Sequence, residues 1–340
     1  MAKNTGLNWP IVGHQNIISY LEHCLLSGQL AHAYLFVGPS QIGKTKVADF
    51  FSQALICQNF SEKKKPLPCG LCPYCRQAQN HLHPDIFRVE RELNDDSEKL
   101  KKNISIEQVR ELQNKLNLRS FLDSFKIAII NQAQALSQEA ANSLLKTLEE
   151  PAPKTILIIL ATHQHLLLQT IVSRCQVLKF LPVKNSDLVD YLIGQRIDRK
   201  KAKNLAALAF GRPGVAIDYL SDQSAYEELT SEIKQFISIL QSDVISRFKI
   251  INELVVARDI DGLKKILFIW SKVIRDLLLI KNSLPNLISH AFIGGELTRV
   301  AEIFSPKTLM EIIKQLNLTR RYLDANLNPR LTFENLVLTF

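Results

Sequence analysis

Short apolar runs rich in β-formers alternate with segments of helical apolar spacing through roughly the first half of this chain. "HAYLFV" (32–37) is followed at once by the loop "GPSQIGKT" and then by "KVADFFSQALIC", whose apolar residues fall on one helical face. Four further strands are predicted at "DIFRVE" (85–90), "FKIAII" (125–130), "TILIIL" (155–160) and "CQVLKF" (175–180). Between them lie the helical patterns "SIEQVRELQNKLNL", with Ser105 as N-cap, and "SQEAANSLLKTLEE", stopped by Pro151. Near-continuous apolar strands exchanging with helices imply a parallel sheet covered on both faces, so the first 180 or so residues are expected to be α/β. After "FLPVKNS" the strand signal stops, and helical periodicity continues to the end. The charged piece "RELNDDSEKLKKN" (91–103) is expected to be an exposed loop.

Composition excludes a disordered chain: 46% of the 340 residues are hydrophobic, with 12 Gly and 13 Pro, enough for two or three domains. The longest apolar runs fall far short of the roughly 20 residues that span a bilayer. "MAKNTGLNWP" lacks the apolar core of a signal peptide, so a soluble cytoplasmic protein with no membrane partner is expected. The net charge of +9 permits a polyanionic partner without requiring one. The basic run "RIDRKKAK" (196–203) fits a nucleic-acid face or a solvated helix, and few aromatics are interleaved with it for base stacking.

"GPSQIGKT" satisfies the phosphate-loop pattern in full, between a predicted strand and a predicted helix. Gly38 and Gly43 let the backbone curl so that its N–H groups face phosphate oxygens; Lys44 reaches the terminal phosphates and the Thr45 hydroxyl can ligate Mg²⁺. Hydrolysis asks for more: one carboxylate at a neighbouring strand tip to hold the metal and a second to activate water. Those positions are Asn131 and Gln132, amides that carry no charge and take up no proton at neutral pH. The loop is expected to hold ATP with Mg²⁺, and the catalytic pair to be disabled.

Cys69, Cys72 and Cys75 form two overlapping C-x-x-C pairs, and Cys57 ends the preceding helix; Cys24 and Cys175 stand apart. Four thiolates are the ligand set of a closed, structural zinc site, and a redox dithiol is the competing reading. His81 and His83 are near enough in sequence to replace one cysteine.

With these features goes a resemblance. "IVGHQ" (11–15), "AHAYLFVGPSQIGKT" (31–45), "CGLCPYC" (69–75), "ANSLLKTLEEP" (141–151), "LATHQHLLLQTIVSRCQ" (160–176) and "GRPGVA" (211–216) occur in the order found in bacterial clamp-loader AAA+ subunits. Among these the chain most resembles the delta-prime family of DNA polymerase III, over the first two thirds of its length. The resemblance implies an AAA+ phosphate-loop domain with its zinc-binding insertion at 1–182, a small helical lid at 183–222 and an all-α collar at 223–340. It sets Val12, Gly13 and His14 near the adenine, Asn131 and Gln132 in the second acidic motif, and Thr162 and His163 at the polar sensor. Arg174 of "SRC" corresponds to an arginine finger reaching a neighbouring subunit's nucleotide, and Arg212 lies near the second sensor, although "GRPG" departs from the motor subunits' pattern. An arginine forming a local ion pair at the start of a strand is the plainer reading of Arg174.

The resulting expectation is a non-motor subunit, without ATPase activity of its own, of the DNA polymerase III holoenzyme. Its partners would be the gamma/tau and delta subunits in a hetero-oligomeric ring, the sliding clamp, and primed DNA through the complex. An active gamma/tau-like motor is the alternative from the enzyme class, and an unrelated zinc-containing nucleic-acid module is the third reading.

Overall fold

The computed structural model describes residues 9–61, 67–94, 97–120 and 124–340. It divides into two compact units, Met1–Tyr191 with Gly211–Gly214, and Leu192–Phe210 with Val215–Phe340.

The first unit runs α1 (Gln15–Ser27), β1 (Ala33–Val37), α2 (Lys44–Ile56), α3 (Gln58–Ser61), α4 (Pro73–Gln79) and β2 (Ile86–Val89). It continues β3 (Leu93–Asn94), β4 (Ser97–Leu100), α5 (Ile106–Asn117), β5 (Lys126–Ile130), α6 (Gln138–Glu149), β6 (Thr155–Ala161), α7 (Gln169–Val172) and β7 (Gln176–Lys179). The five predicted strands form one sheet in the order β2-β5-β6-β1-β7, every neighbouring pair parallel. Alternate residues feed opposite faces, as the strand repeat demands. Tyr34, Phe36, Ile127, Ile129, Ile156 and Ile158 pack with Val47, Phe51 and Leu55 of α2. Leu35, Ala128, Ile130, Leu157 and Ile159 pack with Val109 and Leu112 of α5 and Leu144 and Leu148 of α6. The strands read as unbroken apolar runs because both faces are covered.

Helix starts follow their caps. Ser105 opens α5 in a reciprocal capping box with Gln108, and the Ser137 side chain accepts the Ala140 N–H at the head of α6. The loop expected over 91–103 is corrected in part: β3 and β4 pair antiparallel, Leu93 opposite Leu100. Lys101 extends the pairing, its N–H donating to the Glu92 carbonyl at 2.7 Å and its ammonium to Glu92 Oε2 at 3.0 Å. Leu93 and Leu100 are 59% and 48% exposed, so this apolar pair does not mark a core-facing strand.

The chain goes on through α8 (Asn185–Gly194), α9 (Arg199–Ala209) and α10 (Pro213–Ser221). The helices α11 (Gln223–Gln241), α12 (Val244–Val256), α13 (Ile260–Lys281), α14 (Gly294–Ile303), α15 (Pro306–Asp324) and α16 (Pro329–Val337) complete the all-helical second unit. Asp222, Asp243 and Asp259 cap three of them through backbone N–H groups. Trp270 of α13 is the centre of its core, stacked on Phe236 at 4.4 Å with Phe333 edge-on at 6.0 Å. Among the described residues, no helix is long and apolar enough to cross a membrane.

The segment after α13 is tied back by one buried carboxylate. Asp276 Oδ2 accepts from the backbone N–H groups of Ser289 and His290 at 2.8 and 2.9 Å and faces His290 Nδ1 at 2.7 Å, while Oδ1 accepts from Arg275 at 2.9 Å. Asp276→Ala strips the acceptor from buried donors and is expected to cost about 3 kcal/mol. Urea unfolding followed by Trp270 fluorescence in a Trp9→Phe background checks this as a lower midpoint at unchanged slope.

Candidate functional site

The phosphate loop joins the end of β1 to the start of α2. Gly38 is required by crowding: a Cβ there would lie 2.5 Å from the Phe180 carbonyl oxygen. Gly43 takes φ 109° as it delivers the chain into α2. Lys44 is buried, and its Nζ donates to the carbonyls of Gly38 at 2.5 Å and Pro39 at 2.7 Å. Burial pulls its ammonium down to about 8. Lys44 and Thr45 line a cavity of about 430 Å³ together with Asn131, Gln132 and Thr162. Sequence-distant residues meet there because the parallel strands β1, β5 and β6 end on the same edge of the sheet, the position where α/β proteins bind ligands.

Asn131 and Gln132 follow the tip of β5. The Asn131 N–H donates to the Val89 carbonyl at 2.8 Å, and its Nδ2 donates to Glu90 Oε2 at 3.3 Å. Gln132 is exposed in the left-handed region at φ 51°. The Thr162 N–H donates to Gln134 Oε1 at 3.4 Å, whereas His163 is exposed, faces His165 at 5.3 Å and does not line the cavity. Val12 and His14 lie outside the cavity lining, but His14 touches the loop from behind. Its Nε2 donates to the Ile42 carbonyl at 2.8 Å and its ring packs on Phe180 at 4.8 Å. Burial lowers the His14 pKa, opposed by that hydrogen bond. Arg212 is half-buried in a segment held against the loop, since the Gly214 N–H donates to the Gln41 carbonyl at 2.9 Å. A Cβ at Gly214 would lie 2.9 Å from that oxygen.

Glu90 and Arg91, in the cavity wall just beyond β2, were not among the residues singled out from sequence. A charged pair at the carboxyl end of a predicted parallel strand, Glu90 its last residue and Arg91 the next, was the available signal.

Arg174 stands at the turn between α7 and β7. One terminal nitrogen pairs with Glu149 Oε1 at 2.7 Å, and the other donates to the Thr170 carbonyl at 3.0 Å. The guanidinium is 36% exposed and Glu149 51%, so the pair is solvated and weak, about 1 kcal/mol or less.

The four cysteines come together as their spacing predicted. Cys57 is the C-cap of α2, Cys72 the N-cap of α4, and the four Sγ atoms lie within 4.8 Å of one another. Backbone N–H groups of Cys69, Cys72 and Cys75 each point at the sulfur of Cys57, Cys69 and Cys72 respectively, at 3.4 Å, which stabilises thiolates. The hydrogen bond with Cys75 pulls the Cys57 thiol down to about 5 and pushes the Cys75 thiol up. A tetrahedral ion bound at about 2.3 Å by thiolates spaces its sulfurs by about 3.8 Å. Cys69 and Cys75, 3.9 Å apart, fit that spacing, and the group can hold a metal ion. His83 is not among these ligands: its Nδ1 accepts the Asp85 N–H at 3.2 Å and its ring meets Tyr74 edge-on. His81, exposed, is likewise outside the group.

A parallel sheet, a phosphate loop on its carboxyl edge and a following all-helical unit define a phosphate-loop α/β protein. Residues 13–184 match the family described as "DNA polymerase III, delta subunit", and residues 227–340 match "DNA polymerase III, delta subunit, C terminal". The chain belongs to this DNA polymerase III delta subunit family. The delta' subunit of Bacillus subtilis is 32% identical over 56% of this chain and 54% of its own length. That of Pseudomonas aeruginosa is 37% identical over 43% and 42%. The Bacillus subtilis tau subunit is 25% identical over 95% of this chain and 59% of its own. The matches thus span between 42% and 59% of these three relatives' lengths. A solved gamma subunit-related protein of Thermotoga maritima aligns over 94% of this chain and 97% of its own at 20% identity and a TM-score of 0.41.

An anion against the loop requires Lys44 protonated. Because its pKa lies at about 8, affinity for inorganic pyrophosphate is expected to fall as pH rises above that value. Binding near pH 8 should take up a proton, which calorimetry in two buffers of different ionisation enthalpy measures.

Proposed function

We propose that this chain is a non-motor subunit of the DNA polymerase III clamp loader, one that helps to place the sliding clamp on primed DNA. The observation that carries the reading is the pair of amides, Asn131 and Gln132, lining the same cavity as Lys44 and Thr45. The cavity keeps the groups that hold ATP and Mg²⁺ and lacks the two acids that would position metal and water. Such a subunit serves a ring through its neighbour. Its partners in this reading are gamma/tau and delta subunits, with the clamp and primed DNA reached through the complex in the cytoplasm. Residues 1–182 act as the nucleotide-binding domain, 183–222 as a lid bearing Arg212, and 223–340 as a collar for oligomerisation.

Arg174 is the group offered to the neighbour. A guanidinium beside a transferring phosphoryl group contributes about 10³ to 10⁵ in rate. Its solvated pair with Glu149 is weak enough to exchange for a phosphate. The cysteine cluster holds structural Zn²⁺: four thiolates close the tetrahedron and leave no open position for substrate. A second reading, an active motor, draws on the likeness to the tau subunit along 95% of this chain.

Purified chain should show no ATP turnover alone, and a ring reconstituted with motor subunits, clamp and primed DNA should turn over only when it is present. Arg174→Ala is expected to lower ring turnover at least about a hundredfold while leaving the chain's own melting within about 1 kcal/mol. Turnover by the chain alone would return the motor reading, and normal turnover by the Arg174→Ala ring would remove the finger. Atomic absorption should find about one zinc per chain, lost in Cys72→Ser together with cooperative melting of the α2–α4 region.

A further inference from the structure

The cavity at the phosphate loop has an unusual balance of charge. Its ionisable lining, among the described residues, consists of Lys44, Arg91 and Glu90, two cations and one anion. A hydrolytic site of this kind sets two carboxylates close to an already anionic polyphosphate, and a divalent cation is needed to hold those charges together. With Asn131 and Gln132 in those places the repulsion is gone. The remaining carboxylate, Glu90, already accepts a hydrogen bond from Asn131 Nδ2.

Arg91 adds the second half of the argument. Its Nε is buried and has no hydrogen-bond partner among the described residues. A buried donor without an acceptor costs about 1–3 kcal/mol, and Arg91, half-buried in the cavity wall, has a guanidinium free to turn toward an acceptor that enters the cavity. The phosphate-loop backbone and Lys44 specify what enters as a polyphosphate, and arginine is the side chain whose planar fork suits phosphate oxygens.

We propose that this cavity binds the polyphosphate of a nucleotide without needing a divalent cation, with Arg91 as the phosphate ligand that supplies positive charge in the metal's place. This rests on the reading of the cavity as a nucleotide site and deepens it: the nucleotide becomes a resident ligand that steadies the subunit. The Mg²⁺ expected beside Thr45 is then dispensable.

Titration calorimetry of the full chain with ATP and with inorganic triphosphate, in Mg²⁺ and in EDTA, tests the inference. Wild-type affinity is expected to change by less than about threefold on chelation. Arg91→Met should weaken binding about tenfold or more in both buffers, and Arg91→Lys should recover part of it. The double substitution Asn131→Asp, Gln132→Glu leaves Arg91 in place, restores the repulsion, and should make binding metal-dependent. Thermal melting of each variant establishes that it is folded. Wild-type affinity that collapses in EDTA, or Arg91→Met that binds as wild type does, overturns the inference and leaves nucleotide binding standing. No binding by the wild type in either buffer overturns both.

Discussion

Parallel strand pairing is the constraint on which the first unit depends. In a sheet ordered β2-β5-β6-β1-β7 every strand runs the same way, so every carboxyl end arrives at one edge. That edge brings residues 44, 91, 131 and 162 to one cavity although more than a hundred positions separate the outer two. Shifting one strand by a single residue would turn its side chains to the opposite face and remove its tip from the site. The apolar strands of the core, Ile127 to Ile130 and Ile156 to Leu160, therefore fix the chemistry at the edge as firmly as any residue lining it.

Electrostatics then separates holding a phosphate from cleaving it. The loop supplies backbone N–H groups and a helix N-terminus, which favour an anion whether or not it is later cleaved. Cleavage draws on carboxylates, whereas the chain carries the amides Asn131 and Gln132 beside Lys44 and Thr45. Lys44 shows the cost of the arrangement: its ammonium is buried against two carbonyls of its own loop, and burial lowers its affinity for the proton.

Much of this was legible in the chain before any fold was known. The five strands stood out because apolar side chains cover both faces, and the phosphate loop and cysteine array because their defining residues sit at short, fixed spacings. The β3–β4 hairpin did not, since polar residues held by backbone bonds leave no periodic trace. Glu90 and Arg91 escaped notice because their meaning lies in the pairing of β2 with β5, a long-range contact. The grouping of Gly211–Gly214 with the first unit was hidden for the same reason, resting on bonds from Val183 to Gly211 and from Gly214 to Gln41. The pairing of Arg174 with Glu149 was foreseen only as a type of contact, without its partner.

The helix α2 begins at the phosphate loop with Lys44 and is closed by Cys57, the first sulfur of the cluster. Thirteen residues make a rod of about 20 Å, and each residue added or removed turns one end against the other by about 100°. An insertion between Thr45 and Cys57 would swing the sulfur away from its three partners or twist the loop off the sheet. The length of this helix is thus locked, and gaps between related chains should fall on either side of it.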